Sequence, residues 1–367
     1  MPLAEVNFKT LPTLLKQKKV LIPTLMFLCG FLFDIVTLAR IDQVGTILQQ
    51  LAYILIATGL LASLFLKPEW KIPNSPKTEK LLSYRMAALH FLYGALLSSY
   101  TIFYFKSASF SVSFFFLLII AVLLVANEFP HFHNLGLGIK SSLLSLVTLS
   151  FISYVLPIIF GNIGPWIFIL SIITSCIYVA LFIHALKKKG IDEKITQKHA
   201  LYPMVSVIFL FLLCYFFKIL PPVPLSLQYV GVYHTVEKTS EGKYKLGHYQ
   251  PWWNFWSHGD QSFDAQANDK IIIFFRLFAP SHFSEEIQLI WSLKNPNGDW
   301  EIQDKIPISI SGGRDEGFRG YGVKSNFSEG SWRTQVVTSD EREIGRISFS
   351  VTKASDSDTR EIKYDFH

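Results

Sequence analysis

The sequence is 367 residues long, half of it hydrophobic and only 17% charged, with 32 Phe and three Cys. Soluble domains carry about 25% charged residues, so this composition excludes an ordinary soluble globular protein and points to an integral membrane protein. The net charge of +6 marks no polyanion partner: residues 1–220 hold 18 Lys and Arg against 8 acids, and residues 221–367 hold 16 against 20. The basic excess lies in the apolar half, where orientation in a bilayer accounts for it, and nucleic acid is not an expected partner.

Cys29, Cys176 and Cys214 all lie in apolar runs, so the C-terminal region has no disulfide framework and must be held by its core. Seven stretches, 20–38, 47–66, 87–105, 109–127, 141–160, 165–186 and 202–220, are near the ~20 residues that a spanning helix needs. The first is too long for the apolar part of a cleavable signal and no small-residue cleavage site follows it, so it reads as a retained anchor. The turns at 106–109 and 161–164 are short and make their flanking helices antiparallel neighbours.

Lysines cluster in alternate loops. Lys9, Lys16, Lys18 and Lys19 precede the first span; Lys67, Lys71, Lys77, Lys80 and Arg85 follow the second; Lys187, Lys188, Lys189, Lys194 and Lys198 follow the sixth, and Lys140 opens the fifth. The positive-inside rule then places the N-terminus in the cytoplasm and, after seven spans, the C-terminal region outside it, which is the periplasm in a two-membrane bacterium. The last span runs from Tyr202 to Leu220 and is expected to end at Pro221, Pro222 and Pro224, because proline cannot donate the next helical bond.

Residues 225–353 change character. Short apolar or alternating runs at 225–237, 243–249, 270–278, 286–293, 300–309, 319–325, 331–338 and 344–352 predict antiparallel strands. The Asn295-Pro296-Asn297-Gly298-Asp299 turn and the Ser339-Asp340-Glu341 turn connect neighbours. Seven or eight short strands over this length predict an all-β, immunoglobulin-like sandwich. Residues 354–367 alternate charge and read as a loosely held tail. The expected domains are therefore a helical membrane domain at 1–220, a β-sandwich at 225–353 and a charged tail at 354–367.

Polar residues within or beside apolar runs are the first functional candidates, because an ionised group in hydrocarbon is costly. Asp34, Arg40, Asp42 and Lys106 form that set. The plain reading of Asp34 is a position near the outer interface, paired with Arg40 or a neighbouring helix; the alternative is an ion or ligand path. Glu128, His131 and His133 could offer a metal three ligands on a loop, yet no partner motif supplies a fourth, and a solvated interfacial loop is the plain reading. His90 and His184 fall in spans, but no Cys-x-x-Cys-His motif accompanies them and haem is not expected. Tyr249 to His258, with Trp252, Trp253 and Trp256, makes the densest aromatic cluster, which could stack on a sugar or peptide, rest on the membrane surface, or form the sandwich core or seal its end. No nucleophile–base set, zinc-protease helix or phosphate-binding glycine loop is present.

Three stretches carry a resemblance: Gly320-Tyr321-Gly322-Val323-Lys324-Ser325; Gly330-Ser331-Trp332-Arg333-Thr334-Gln335-Val336-Val337; and Ile344-Gly345-Arg346-Ile347-Ser348-Phe349-Ser350-Val351. Together they resemble the end of the DUF2914 domain, a bacterial family of unknown function. Trp300, Arg319, Lys324, Trp332 and Arg333 fit its pattern, whereas Asp340-Glu341-Arg342-Glu343 stands where the family often has Asp-Gly. The 30–34, 37–42, 105–109, 156–157 and Gly161 stretches are similar to those of multi-span members. The resemblance implies no activity and no cofactor.

The expectation is thus a multi-pass protein of the bacterial inner membrane, not an enzyme, whose periplasmic sandwich binds an envelope protein or glycan with Trp252, Trp253, Trp256, Arg319 and Lys324 on the binding surface. A transporter or channel using Asp34 and Arg40, and a membrane enzyme acting on lipid or polysaccharide precursors through Glu128, His131 and His133, are the rival readings. The expected partners are the lipid bilayer and an envelope protein or glycan, and oligomerisation stays open.

Overall fold

The computed structural model describes residues 41–66, 85–127, 136–250, 257–266, 268–313, 317–354 and 362–367. The first predicted span, Asp34, Arg40, the Glu128–His133 loop and Trp252, Trp253 and Trp256 lie outside these residues. The other six spans are helices: α1 (Val44–Phe65), α2 (Arg85–Ser107), α3 (Phe110–Asn127), α4 (Leu137–Phe160), α5 (Pro165–Lys188) and α6 (Glu193–Phe216). Five are long and apolar enough to cross a membrane, and α3 is shorter.

The last helix departs from its predicted bounds at both ends. It begins at Glu193, where the Asp192 carboxylate caps the Lys194 and Ile195 amides at 2.8 and 3.2 Å, and one π turn (Gln197–Leu201) precedes its main α segment. It stops at Phe216, before the prolines are reached. Lys218 adopts a left-handed conformation (φ 57°); its amide bonds the Tyr215 carbonyl at 2.9 Å and the Ile219 amide bonds that of Cys214 at 2.8 Å. That pair of bonds is a Schellman ending, with lysine in the position usually held by glycine. Pro221 and Pro222 follow the stop and keep the chain from resuming a helix.

The chain falls into two compact units: Met1–Ile102 with Leu118–Phe151 and Cys176–Ile208, and Phe103–Leu117 with Ile152–Ser175 and Phe209–His367. Among the described residues the first unit is helical apart from its turns, and its helices are tied by hydroxyl groups. Thr58 meets Tyr178 at 2.6 Å, Tyr93 donates to the Lys140 carbonyl at 2.9 Å, and Ser141 and Ser145 donate to the His199 and Met204 carbonyls at 2.7 and 2.9 Å. Apolar packing alone gives little drive to associate in lipid, where tails are as oily as leucine, so such bonds help to fix the pairing.

The second unit holds helix ends and all eleven described strands. One sheet runs β1 (Ser226–Tyr233), β5 (Ile271–Phe278), β8 (Phe318–Lys324). A five-stranded sheet runs β4 (Ser262–Ala265), β10 (Glu343–Lys353), β9 (Gly330–Thr338), β6 (Ser284–Lys294), β7 (Trp300–Ser311). Their facing sides bury Phe263, Ile273, Phe275, Leu277, Leu289, Trp291, Trp332, Val336 and Phe349 in one core. The predicted sandwich is this pair. A third sheet, β11 (Lys363–Phe366), β3 (Tyr244–His248), β2 (Thr235–Lys238), covers part of the outer face of β5. It buries Leu246, Tyr233, Ile272 and Phe274 in a second core. The charged tail therefore ends in a paired strand, and the run at 225–237 breaks at His234 into β1 and β2.

Within this unit the β9–β10 turn is clamped against helix ends by two buried carboxylates. Asp340 accepts Tyr215 Oη at 2.7 Å and Arg342 Nε at 2.8 Å, and also the Thr338 hydroxyl. The Arg342 guanidinium lies 5.0 Å from the Tyr215 ring, which stacks on Phe168 at 3.8 Å. Glu343 accepts the Ser109 hydroxyl and two Arg346 nitrogens, Nε at 2.6 Å and Nη2 at 2.5 Å. On the neighbouring strand Glu285 accepts the Ile163 amide at 3.0 Å and Ser339 Oγ at 2.8 Å. The chain approaches closely here: a Cβ on Gly161 (φ +70°) would sit 2.6 Å from the His282 carbonyl oxygen.

Candidate anion site on the outer face of the sandwich

The candidate site grows out of strand alternation. In β5 the residues Ile271, Ile273, Phe275 and Leu277 are fully buried in the sandwich core, which turns Ile272, Phe274 and Arg276 to the opposite face. In β8 the inward positions are glycines, because the core is already filled: a Cβ on Gly320 would meet the Phe275 ring at 2.7 Å, and one on Gly322 would meet Leu289 at 2.4 Å. Arg319 and Tyr321 therefore face outward. The register pairs Arg276 directly with Arg319 and Phe274 with Tyr321. Like charges opposite one another oppose strand pairing, and here two guanidiniums share one face of the sheet.

The surroundings add two imidazoles. The His367 backbone pairs with Tyr244 in both directions, at 2.7 and 3.0 Å. That holds its ring 4.3 Å from the Tyr229 ring and 5.6 Å from Phe274. His258 approaches Tyr229 from another side at 4.9 Å. Burial pulls the His367 imidazole below its usual range, and Arg276, Arg319 and His258 push the same way against Asp365. Burial pushes the Tyr229 phenol up to about 12, so it stays neutral; because Tyr233 gives its proton to Asp365, Tyr229 donates its own to Tyr233.

Below this, a chain of bonds fixes the third sheet. Tyr229 and Tyr233 share a hydroxyl contact, Tyr233 donates to Asp365 at 2.9 Å, and His248 approaches the same carboxylate at 3.4 Å. The His248 contact holds the Asp365 carboxyl below its ordinary value, with the Tyr233 bond assisting, against the opposing effect of burial. Asp365 is thus engaged from two sides, while Arg276 Nε is buried and makes no hydrogen bond among the described residues. An Arg fork is shaped to take a carboxylate, sulfate or phosphate through two parallel bonds. The arrangement brings two arginines and two imidazoles to one face, which is chemistry for holding an anion.

Of the surface residues expected from sequence, Arg319 is in this site; one of its nitrogens also approaches the Gly242 carbonyl at 3.4 Å. Lys324 is elsewhere: it pairs with Asp304, sits 5.3 Å from the Trp332 ring, and its side chain is 10% exposed. Lys106 lies in the last turn of α2 and is exposed, its carbonyl accepting Ser226 Oγ at 2.5 Å; Asp42 lies just before α1. Arg276, Tyr229 and His367 are not among the residues that the sequence singles out, and His258 enters there only as the end of the aromatic cluster. The available signal was the lone charge in the apolar run 271–278.

These features define a class: apolar helices of membrane-crossing length joined to a layered β-sandwich. Residues 284–351, from β6 into β10, match the family model DUF2914, described as a protein of unknown function. The matched segment contains Arg319 and the clamped β9–β10 turn. No curated protein matches the chain. Among solved structures, an immunoglobulin-like protein from Pseudomonas aeruginosa is similar at 16% identity and TM-score 0.21, over 34% of this chain and 97% of that one. A β-glucosidase from Kluyveromyces marxianus is similar at 15% identity and TM-score 0.18, over 28% of this chain and 14% of that one. An alkylpurine DNA glycosylase from Pseudomonas fluorescens is similar at 9% identity and TM-score 0.22, over 86% of this chain and 100% of that one. At such scores these likenesses identify neither ligand nor activity.

Proposed function

We propose that this is a multi-pass protein of a bacterial inner membrane whose periplasmic sandwich binds an anionic envelope component, and that it does so without catalysis. Seven spans, a cytoplasmic N-terminus and a periplasmic sandwich follow from the alternation of lysine-rich loops. The observation that carries the binding reading is the Arg276–Arg319 register pair with an unbonded, buried Arg276 Nε. The ligand class is a carboxylate-, sulfate- or phosphate-bearing glycan or a protein segment of the same chemistry.

Calorimetric titration of the full chain in detergent with polygalacturonate, sulfate and inorganic phosphate tests this. Arg276→Ala and Arg319→Ala should each weaken binding by about tenfold or more, since hydrogen bonds to charged groups contribute roughly 1.5–3 kcal/mol. Equal affinity for all three proteins, or no binding by the wild type, refutes the site. A reporter fused after His367 and active only in the cytosol refutes the sidedness.

The pH dependence has a defined sign. Burial keeps His367 below the usual 6.5 in the free protein, and a bound anion favours the imidazolium. Binding therefore takes up a proton, and affinity should rise as pH falls below about 6.5. His367→Gln should flatten that rise, which the same titration repeated across pH would detect.

A further inference from the structure

We infer that the second unit holds a resident phospholipid with an ammonium-bearing, zwitterionic head, at a site separate from the arginine pair. α5, α6 and the β9–β10 turn enclose a groove of about 690 Å³, within the roughly 300–1,000 Å³ of small-ligand sites. Its walls include Ile169, Leu212, Leu213 and Phe216, all exposed, Phe216 to 77%. These walls belong to two helices of membrane-crossing length, so a hydrocarbon chain rather than water is the medium that suits them.

The rim of the same groove is polar and carries both signs. Asp340 and Arg342 are buried and already bonded to each other and to Tyr215, so they form a fixed floor. Lys218 and Glu341 are different: they touch each other yet remain 48% and 51% exposed. Lys305 lies 3.8 Å from one Glu341 oxygen and Lys218 holds the other; when Lys218 turns to a phosphate, the oxygen it releases can take an ammonium, so a phosphoethanolamine-type head satisfies both where a purely anionic head would leave that oxygen without a partner. The left-handed ending of α6 at Lys218 aims this pair at the mouth of the apolar walls.

The inference rests on the membrane reading but not on the anion site. The full chain, delipidated and reconstituted in nanodiscs of equimolar phosphatidylethanolamine and phosphatidylglycerol, is released and weighed by native mass spectrometry. The wild type should retain one phosphatidylethanolamine per chain. Leu213→Trp, which fills the groove from an exposed position, should cut that retention about tenfold, the ratio for ~1.4 kcal/mol. Glu341→Gln should leave total lipid unchanged while shifting it toward phosphatidylglycerol. Equal retention by Leu213→Trp and wild type, or no head-group preference in the wild type, means surrounding bulk lipid only and overturns the inference. Sulfate titration of the same samples separates the two sites: its loss with lipid retained counts against the arginine pair alone.

Discussion

Replacing Arg342 by Ala should destabilise the second unit by about 3–5 kcal/mol, the cost of leaving one partner of a buried ion pair behind. Asp340 and Arg342 are only 6% and 7% exposed at the side chain. Without the guanidinium, Asp340 keeps only the neutral donors Tyr215 and Thr338, and Tyr215 loses the cation over its ring. The readout is thermal unfolding in detergent by tryptophan fluorescence, since Trp291 and Trp332 are buried in the sandwich core. For a unit of this size the midpoint should fall by roughly 6–20 °C. The double change Arg342→Met with Asp340→Asn removes both charges and should recover much of the loss, because an uncharged pair no longer carries a desolvated ion. An Arg342→Ala protein that melts with the wild type would show that the turn is not held by this pair.

Acid should weaken the same clamp. Burial pushes the Asp340 carboxyl up, but Arg342 and the hydrogen bonds from Thr338, Tyr215 and Arg342 outweigh it and hold the group below its ordinary 3.8. A depressed folded value means that the native state binds the proton less readily than the unfolded chain. The stabilisation is therefore present above about pH 4 and lost as pH falls further.

Residue pattern carried most of the architecture because it depends on local period. The apolar runs specify helices, and seven of the eight strands expected from alternation between 225 and 352 form as single strands, bounded by turn residues such as Gly298 or Gly313 with positive φ, while the run at 225–237 forms two, β1 and β2, in different sheets. The parts that escaped are those set by distant pairing. β4 has four residues and is held by β10, some 88 positions away in the chain (Ser262 with Ser350). β11 lies in a charged tail and becomes a strand because β3 pairs with it. The end of α6 was assigned to Pro221, yet Lys218 stops it earlier through tertiary contact with Glu341 and a local left-handed turn. The candidate site divides in the same way. Arg319 was reached through its fit to a family pattern, whereas Arg276 becomes its neighbour only through the β5–β8 register, and His367 only through β11.

Gly259 should be the least replaceable residue near the site. It has φ +66°, and a Cβ there would lie 2.0 Å from the Val232 carbonyl oxygen and 2.9 Å from its carbon. No rotamer relieves a backbone clash, so β1 and the 258–260 loop must separate. That separation breaks two bonds, Val232 N to the His258 carbonyl at 3.2 Å and Asp260 N to the Val232 carbonyl at 2.8 Å. It also withdraws Asp260 from His234, 3.3 Å away, and from the Tyr249 amide, 2.6 Å away. Left-handed strain of about 1–2 kcal/mol and about 1 kcal/mol for each lost bond give roughly 3–4 kcal/mol for Gly259→Ala. His258 leaves the Tyr229 ring in the process, so anion affinity should fall together with the melting temperature. Gly242→Ala is the matched control: its φ is +80° but nothing lies within 4 Å of the added carbon. That variant should lose only the conformational part and keep its affinity. Equal melting temperatures for the two variants would mean that the 258–260 loop yields freely, and that the close approach at Val232 does not hold His258 in place.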